Sequence, residues 1–172
     1  MFDLILVDSF DNEIGYAEVE DCHRGELKLH RAFSVFLFNA AGEMLITQRS
    51  SEKKTWPLHW SNACCSHPRK GRDCESAARV RVGEELGIAP EIEFLFKFEY
   101  DARYDETWGE HELDWVFAGS FDGILKPDPS EIQDWRLVPI DALRDELKAY
   151  PSRFTPWFRI SLERVLASTG HQ

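Results

Sequence analysis

No apolar run in this sequence approaches the length needed to span a membrane, and its opening stretch, MFDLILVDSFDNE, lacks the basic-then-apolar layout of a secretory leader. Membrane insertion is therefore not expected. Basic charge is also scarce: 20 Lys and Arg face 31 Asp and Glu, for a formal net charge of −11. Such a surface repels phosphate backbones, which argues against a nucleic-acid partner. A small anion can still bind, given local help from a metal or a cluster of basic side chains. Cysteines are few and unpaired in pattern, with Cys64 and Cys65 adjacent and Cys22 and Cys74 isolated. Reduced thiols in a cytoplasm are the better expectation than a disulfide framework. Repeats, low-complexity tracts and linkers are absent, and residues 1–172 read as a single domain whose first 22 residues carry a hairpin extension.

The hairpin is expected from Leu4–Val7 and Glu13–Glu18, joined across the turn signal Ser9–Asn12. Arg31–Asn39 (RAFSVFLFN) is almost continuously apolar, as a strand covered on both faces would be. Ala41 and Gly42 turn the chain into a strand over Met44–Gln48. Arg49–Lys70 is polar and aromatic, and too long for an idle connection. A helix follows over Asp73–Leu86, with Asp73 as N-cap and Gly87 as stop. Strands are expected over Ile92–Tyr100, Glu112–Phe121 and Trp135–Val138, then a helix from Asp141 to Ala149. The last helix has Thr155 as N-cap and Pro156 in its first turn. Strands mixed with helices around one sheet define an α/β or α+β sandwich.

Five side chains have the character of metal ligands. His23 and His30 flank a polar stretch before the first core strand, and His67 lies in the long loop. Glu110 and Glu112 are two apart, so an extended backbone points both carboxylates to one face. Three imidazoles and two carboxylates suit a divalent transition ion, zinc or manganese. Taken singly, each His is more often a surface or satisfied core residue, and His59, His111 and His171 are read that way. In the helix, Ala78, Val82 and Leu86 mark the core stripe, and Glu85 falls on it. A buried carboxylate needs a partner. That partner is either Arg81 at i−4, as a plain ion pair, or a magnesium ion held by an inward-pointing Glu85; Glu84 points to solvent. Cys65 sits in a polar, Pro-bounded segment two residues before His67, whereas Cys64 reads as packing.

HRAFSVFLFN at His30–Asn39, Trp56-Pro57, SNACCSHP at Ser61–Pro68, EELG at Glu84–Gly87, WGEHELD at Trp108–Asp114 and TPWF at Thr155–Phe158 occur in one order. Together they resemble the type I isopentenyl-diphosphate isomerases, a branch of the Nudix superfamily, from about Ala17 to Phe158. The resemblance implies a mixed β-sheet sandwiched between helices. The hydrolase box of that superfamily asks for Arg-Glu where this chain has Val80 and Arg81, and for Gly where it has Ser66. A hydrolase would thus lack one magnesium-binding glutamate, and the isomerase branch shares this degenerate box.

Carried over by position, the resemblance implies a transition-metal site at His23, His30, His67, Glu110 and Glu112, filled by manganese or zinc. It implies magnesium at Glu85 and the Cys65 carbonyl, and diphosphate binding by Arg49, Lys53 and Arg81. Catalytic roles fall on Cys65 and Glu112, with Tyr100 assisting and Trp157 lining the pocket. The family commonly has Lys where this chain has Val19, four residues before His23, and Lys28 is the candidate substitute. The implied partner is a small prenyl diphosphate, handled by a monomer or weak homodimer. Two rivals remain: a Nudix pyrophosphohydrolase, and a non-catalytic, metal-stabilised binding module in which Cys65 merely packs.

Overall fold

Asp3–Val7 and Glu13–Glu18 form strands β1 and β2, paired antiparallel as the hairpin pattern predicts. The Asp8 carboxylate closes their turn by accepting hydrogen bonds from the backbone N–H groups of Phe10 and Asn12. The structure is a computed structural model and describes residues 3–171, so Met1, Phe2 and Gln172 of the expected 1–172 span lie outside it. A five-residue helix, α1 (Val19–His23), follows and was not foreshadowed. A single turn is too short to display helical periodicity.

His30–Phe38 is β3, the centre of the sheet. Its apolar run has the expected cause, because both faces are covered. Phe33, Val35 and Leu37 belong to one core cluster, and Phe36 and Phe38 to another. The chain turns into β4 (Met44–Arg49) and then crosses the 49–70 segment. There the structure corrects the reading of an unbroken loop: Trp60–Ser61 is β5 and Cys64–Ser66 is β6. Cys65 therefore lies on a strand, with its backbone opposite Ser34 of β3. Strands of two and three residues leave no alternation to read, and their partners are distant in sequence.

Cys74–Leu86 is α2, capped as predicted. Asp73 accepts from the Ser76 N–H at 2.8 Å, a contact worth about 1 kcal/mol, and Gly87 adopts φ 69° beyond the last turn. Strand β7 (Ile92–Arg103) pairs antiparallel with β8 (Gly109–Ser120), both longer than the sequence signals suggested. Strand β8 runs parallel to β3, its residues Glu112–Ser120 pairing the full length of β3. Strand β9 (Ile132–Val138) pairs with β4, followed by α3 (Ile140–Ala149) and α4 (Pro156–Thr169). Thr155 does not cap α4 with its side chain; its hydroxyl instead meets Ser61 Oγ at 2.9 Å.

The layers match the expected sandwich. Ala78, Val82 and Leu86 of α2 pack with Phe33, Val35 and Leu37 on one face of the sheet. Phe158, Leu162, Val165 and Leu166 of α4, with Leu143 of α3, pack with Phe36, Phe38 and Val116 on the other. No helix among the described residues is long and apolar enough to cross a membrane.

Candidate active site

Pleating sets the site. On β3, His30 and Ser34 share a face with Phe36; on β8, Glu110, Glu112 and Asp114 share a face with Val116. Toward α4 this face is apolar, and beyond the helix it becomes polar around a cavity of about 410 Å³. Strand β6 brings Cys65 to one edge of β3, opposite Ser34, while β8 brings Glu112 to the other edge, opposite His30. Thiol and carboxylate thus flank the central strand and line the same cavity.

At one end the five predicted ligands converge. One donor atom from each of His23, His30, His67, Glu110 and Glu112 lies within 4.8 Å of every other. Bonds of about 2.1 Å to a central divalent ion require opposed donors about 4.2 Å apart, so a small contraction suffices. His23 and His30 direct Nδ1 to the carbonyls of Val19 and Lys28 at 2.6 and 2.8 Å, which aims each Nε2 inward, as ligating histidines are commonly held. His30 Nε2 is buried without a hydrogen bond. The residues fit a divalent metal ion.

Glu112 is shared between two surroundings. One oxygen faces the imidazoles, 2.8 Å from His67 Nε2; the other accepts from the Tyr100 hydroxyl at 2.5 Å. Burial would raise its pKa, but the neighbouring His30 ring at 3.5 Å and the His67 hydrogen bond hold it well below the ordinary carboxylate value. Burial opposes protonation of His23, yet the Glu110 carboxylate at 2.7 Å prevails and lifts it to about 9. Asp114, buried and close to the Glu112 charge, is pushed well above its usual range.

The Cys65 thiol donates to Asn62 Oδ1 at 3.0 Å and accepts from the Trp157 indole N–H at 3.1 Å. Burial, aided by the negative charge of Asp114, pushes it up to about 12. A raised thiol pKa means the neutral form dominates below pH 12, and about one thiol in 10⁴ is ionised at pH 8. Iodoacetamide at pH 8 is therefore expected to label Cys65 of the folded protein about a thousand times more slowly than a free cysteine, rising about tenfold per pH unit. Intact mass against time measures this; rapid labelling of Cys65 at pH 8 would contradict it.

Arg49, Lys53 and Arg81 supply cations to the same cavity, and the Arg49 guanidinium lies 5.2 Å from the centroid of the Trp157 ring. Arg49 is braced by the Thr55 and Trp56 carbonyls, in a turn where Trp56 and Leu58 take left-handed φ of 43° and 60°. Such backbone is costly for non-glycine residues and marks a segment held by its surroundings. Glu85 is buried and pairs with Arg81 at 2.5 Å, the plain ion pair that the sequence allowed. It also lines a small crevice of about 20 Å³ beside Cys65 and Asn62. Val19 lines the cavity, but Lys28 is exposed and does not, which overturns Lys28 as the substitute for the missing lysine. Lys54 and Arg69 line that cavity instead.

Sequence reasoning missed Glu131, which pairs with Lys53 and with Arg81, the latter at 3.1 Å. It also missed Thr55, whose hydroxyl donates to Glu110 at 2.6 Å, and Asp114, bonded by Ser34 at 2.7 Å. Asp114 had a signal, since Glu110, Glu112 and Asp114 follow the same two-residue period. Glu131, one acid among several in a turn-rich stretch with Asp128 and Asp134 nearby, had none.

The fold and this site define the class first. The NUDIX domain family's sequence profile matches residues 28–158. The crystal structure of a Deinococcus radiodurans protein superposes with a TM-score of 0.70 at 21% identity, covering 86% of this chain and 89% of that one. The chain belongs to the family of isopentenyl-diphosphate Delta-isomerases within that class. It is 42% identical over 159 residues to the isopentenyl-diphosphate Delta-isomerase of Nocardia farcinica, covering 92% of this chain and 91% of that protein. It is 38% identical over 184 residues to isopentenyl-diphosphate Delta-isomerase 1 of Mus musculus, covering 94% and 81%.

Proposed function

We propose that this chain converts isopentenyl diphosphate to dimethylallyl diphosphate by moving a double bond through protonation and deprotonation. The observation that carries the reading is the placement of Cys65 and Glu112 on strands flanking β3, over one cavity that Arg49, Lys53 and Arg81 also line. Adding a proton to the terminal alkene carbon leaves a tertiary carbocation at its neighbour. Losing a proton from the carbon on the other side then forms the new alkene, with no net change in atoms.

Cys65, a neutral thiol below about pH 12, supports the role of proton donor. Glu112, held ionised, supports that of acceptor, with Tyr100 fixing the oxygen that does not face the histidines. The Trp157 ring, nearly fully buried in the wall, shelters the cation and offers its π-face. Arg49, Lys53 and Arg81 bind the diphosphate. Magnesium held by Glu85 and the Cys65 carbonyl would neutralise the diphosphate, and manganese or zinc held by His23, His30, His67, Glu110 and Glu112 would fix the carboxylate wall. We place the reaction in a cytoplasm and assign residues 1–172 to one unit, acting as a monomer or weak homodimer.

The hydrolase alternative is disfavoured because Arg81, paired to Glu85, stands where that box requires a magnesium-binding glutamate. The deciding experiment is incubation with isopentenyl diphosphate, magnesium and manganese or zinc in deuterated water, followed by NMR. Deuterium-bearing dimethylallyl diphosphate is expected. Release of phosphate or pyrophosphate without it would establish the hydrolase, and no turnover at all would favour the binding module.

A further inference from the structure

We infer that Glu131 is a resident counter-anion: it holds Lys53 and Arg81 in place at the diphosphate end of the cavity and gives them up to phosphate oxygens when substrate binds. This rests on the isomerase reading and adds a positioning residue to it. The two oxygens of Glu131 are divided between the two cations, Oε2 on Lys53 and Oε1 on Arg81 Nη2 at 3.1 Å. Carboxylate and phosphate present the same kind of oxygen pair to a guanidinium fork or an ammonium, so the side chain satisfies both cations in the way a phosphate would. All three groups line the substrate cavity, and the Glu131 side chain retains 22% exposure, enough for an incoming anion to compete with it.

The backbone places Glu131 independently of those cations. Its carbonyl accepts from Ser50 N–H at 2.9 Å, and its own N–H donates to Asp128 O at 3.0 Å. Asp128 N–H in turn donates to the Glu85 carbonyl at 2.9 Å, which ties the turn to the end of α2 that carries Arg81 and Glu85. Arg81 has two further ion pairs that do not involve Glu131, with Glu84 at 2.8 Å and Glu85 at 2.5 Å, which anchor it to its own helix. The carboxylate therefore keeps like charges from splaying in the empty cavity, and the site pays for that order by weaker anion affinity.

The probe is inorganic pyrophosphate, titrated calorimetrically into the metal-loaded full chain. Removing the competing charge in Glu131→Gln is expected to tighten pyrophosphate binding about fivefold and lower KM for isopentenyl diphosphate in parallel, the size fitting a partly exposed ion pair. Glu131→Asp keeps the charge but is too short to bridge both cations, and its affinity is expected between wild type and Gln. In a Lys53→Met background the gain from Glu131→Gln should shrink to less than about twofold, because the two residues share one interaction. A purely structural role predicts the reverse: a lower melting temperature and weaker binding. Unchanged or weaker pyrophosphate binding in a folded Gln variant, or in the Asp variant should Gln not fold, overturns the inference. A wild type that binds pyrophosphate but forms no dimethylallyl diphosphate would instead overturn the isomerase reading.

Discussion

Replacing Cys65 by alanine is expected to lower turnover of isopentenyl diphosphate by about 10²- to 10⁴-fold, the range spanned by one positioned acid–base group. The loss is chemical because the surroundings of the thiol stay in place. Asn62 still bonds the Val35 and Cys64 carbonyls at 3.1 and 2.8 Å, and the Trp157 N–H still reaches Ser61 Oγ at 3.0 Å. Truncation removes one sulfur atom at a partly exposed position, so the melting temperature should move little. Deuterium incorporation from solvent and product formation should fall together, with KM nearly unchanged because Arg49, Lys53 and Arg81 are intact. Activity within about threefold of wild type would leave Cys65 as a packing residue and favour a proton donor elsewhere in the cavity.

How much of this was readable beforehand depends on the range of the forces involved. The hairpin, α2 with its Asp73 cap, and the apolar run of β3 announce themselves because each is set by neighbours in sequence. Glu85 was legible for the same reason, since a carboxylate on an otherwise apolar helical stripe must be buried and paired. The path of the 49–70 segment was not, because β5 and β6 exist only through pairing with β4 and β3. That pairing turns Cys65 from a residue in a polar loop into one arm of a pair across β3. The five metal-site donors come from α1, β3, the segment after β6, and β8, so their convergence within 4.8 Å is a tertiary fact that residue types suggest and only topology produces. Glu131 and Lys54 act through partners far along the chain, Arg81 and Glu20, and carried no local signal.

Glu112→Gln should be as damaging as the loss of the thiol, and a comparison with Glu110→Gln separates chemistry from metal holding. Both carboxylates face the imidazoles, Glu110 on His23 at 2.7 Å and Glu112 on His67 at 2.8 Å. Their second oxygens differ: that of Glu110 takes the Thr55 hydroxyl, while that of Glu112 takes Tyr100, which itself lines the cavity. A ligand role lost is recovered by mass action, a proton acceptor lost is not. Glu110→Gln is accordingly expected to lower metal affinity about tenfold or more and regain most activity when manganese or zinc is in excess. Glu112→Gln is expected to remain about 10²- to 10⁴-fold slow at saturating metal, because a neutral amide can ligate but cannot take a proton from carbon. Metal content by elemental analysis, read beside turnover across a metal titration, decides between them. Full recovery of Glu112→Gln by excess metal would reduce Glu112 to a ligand and move the base to another group on the cavity wall.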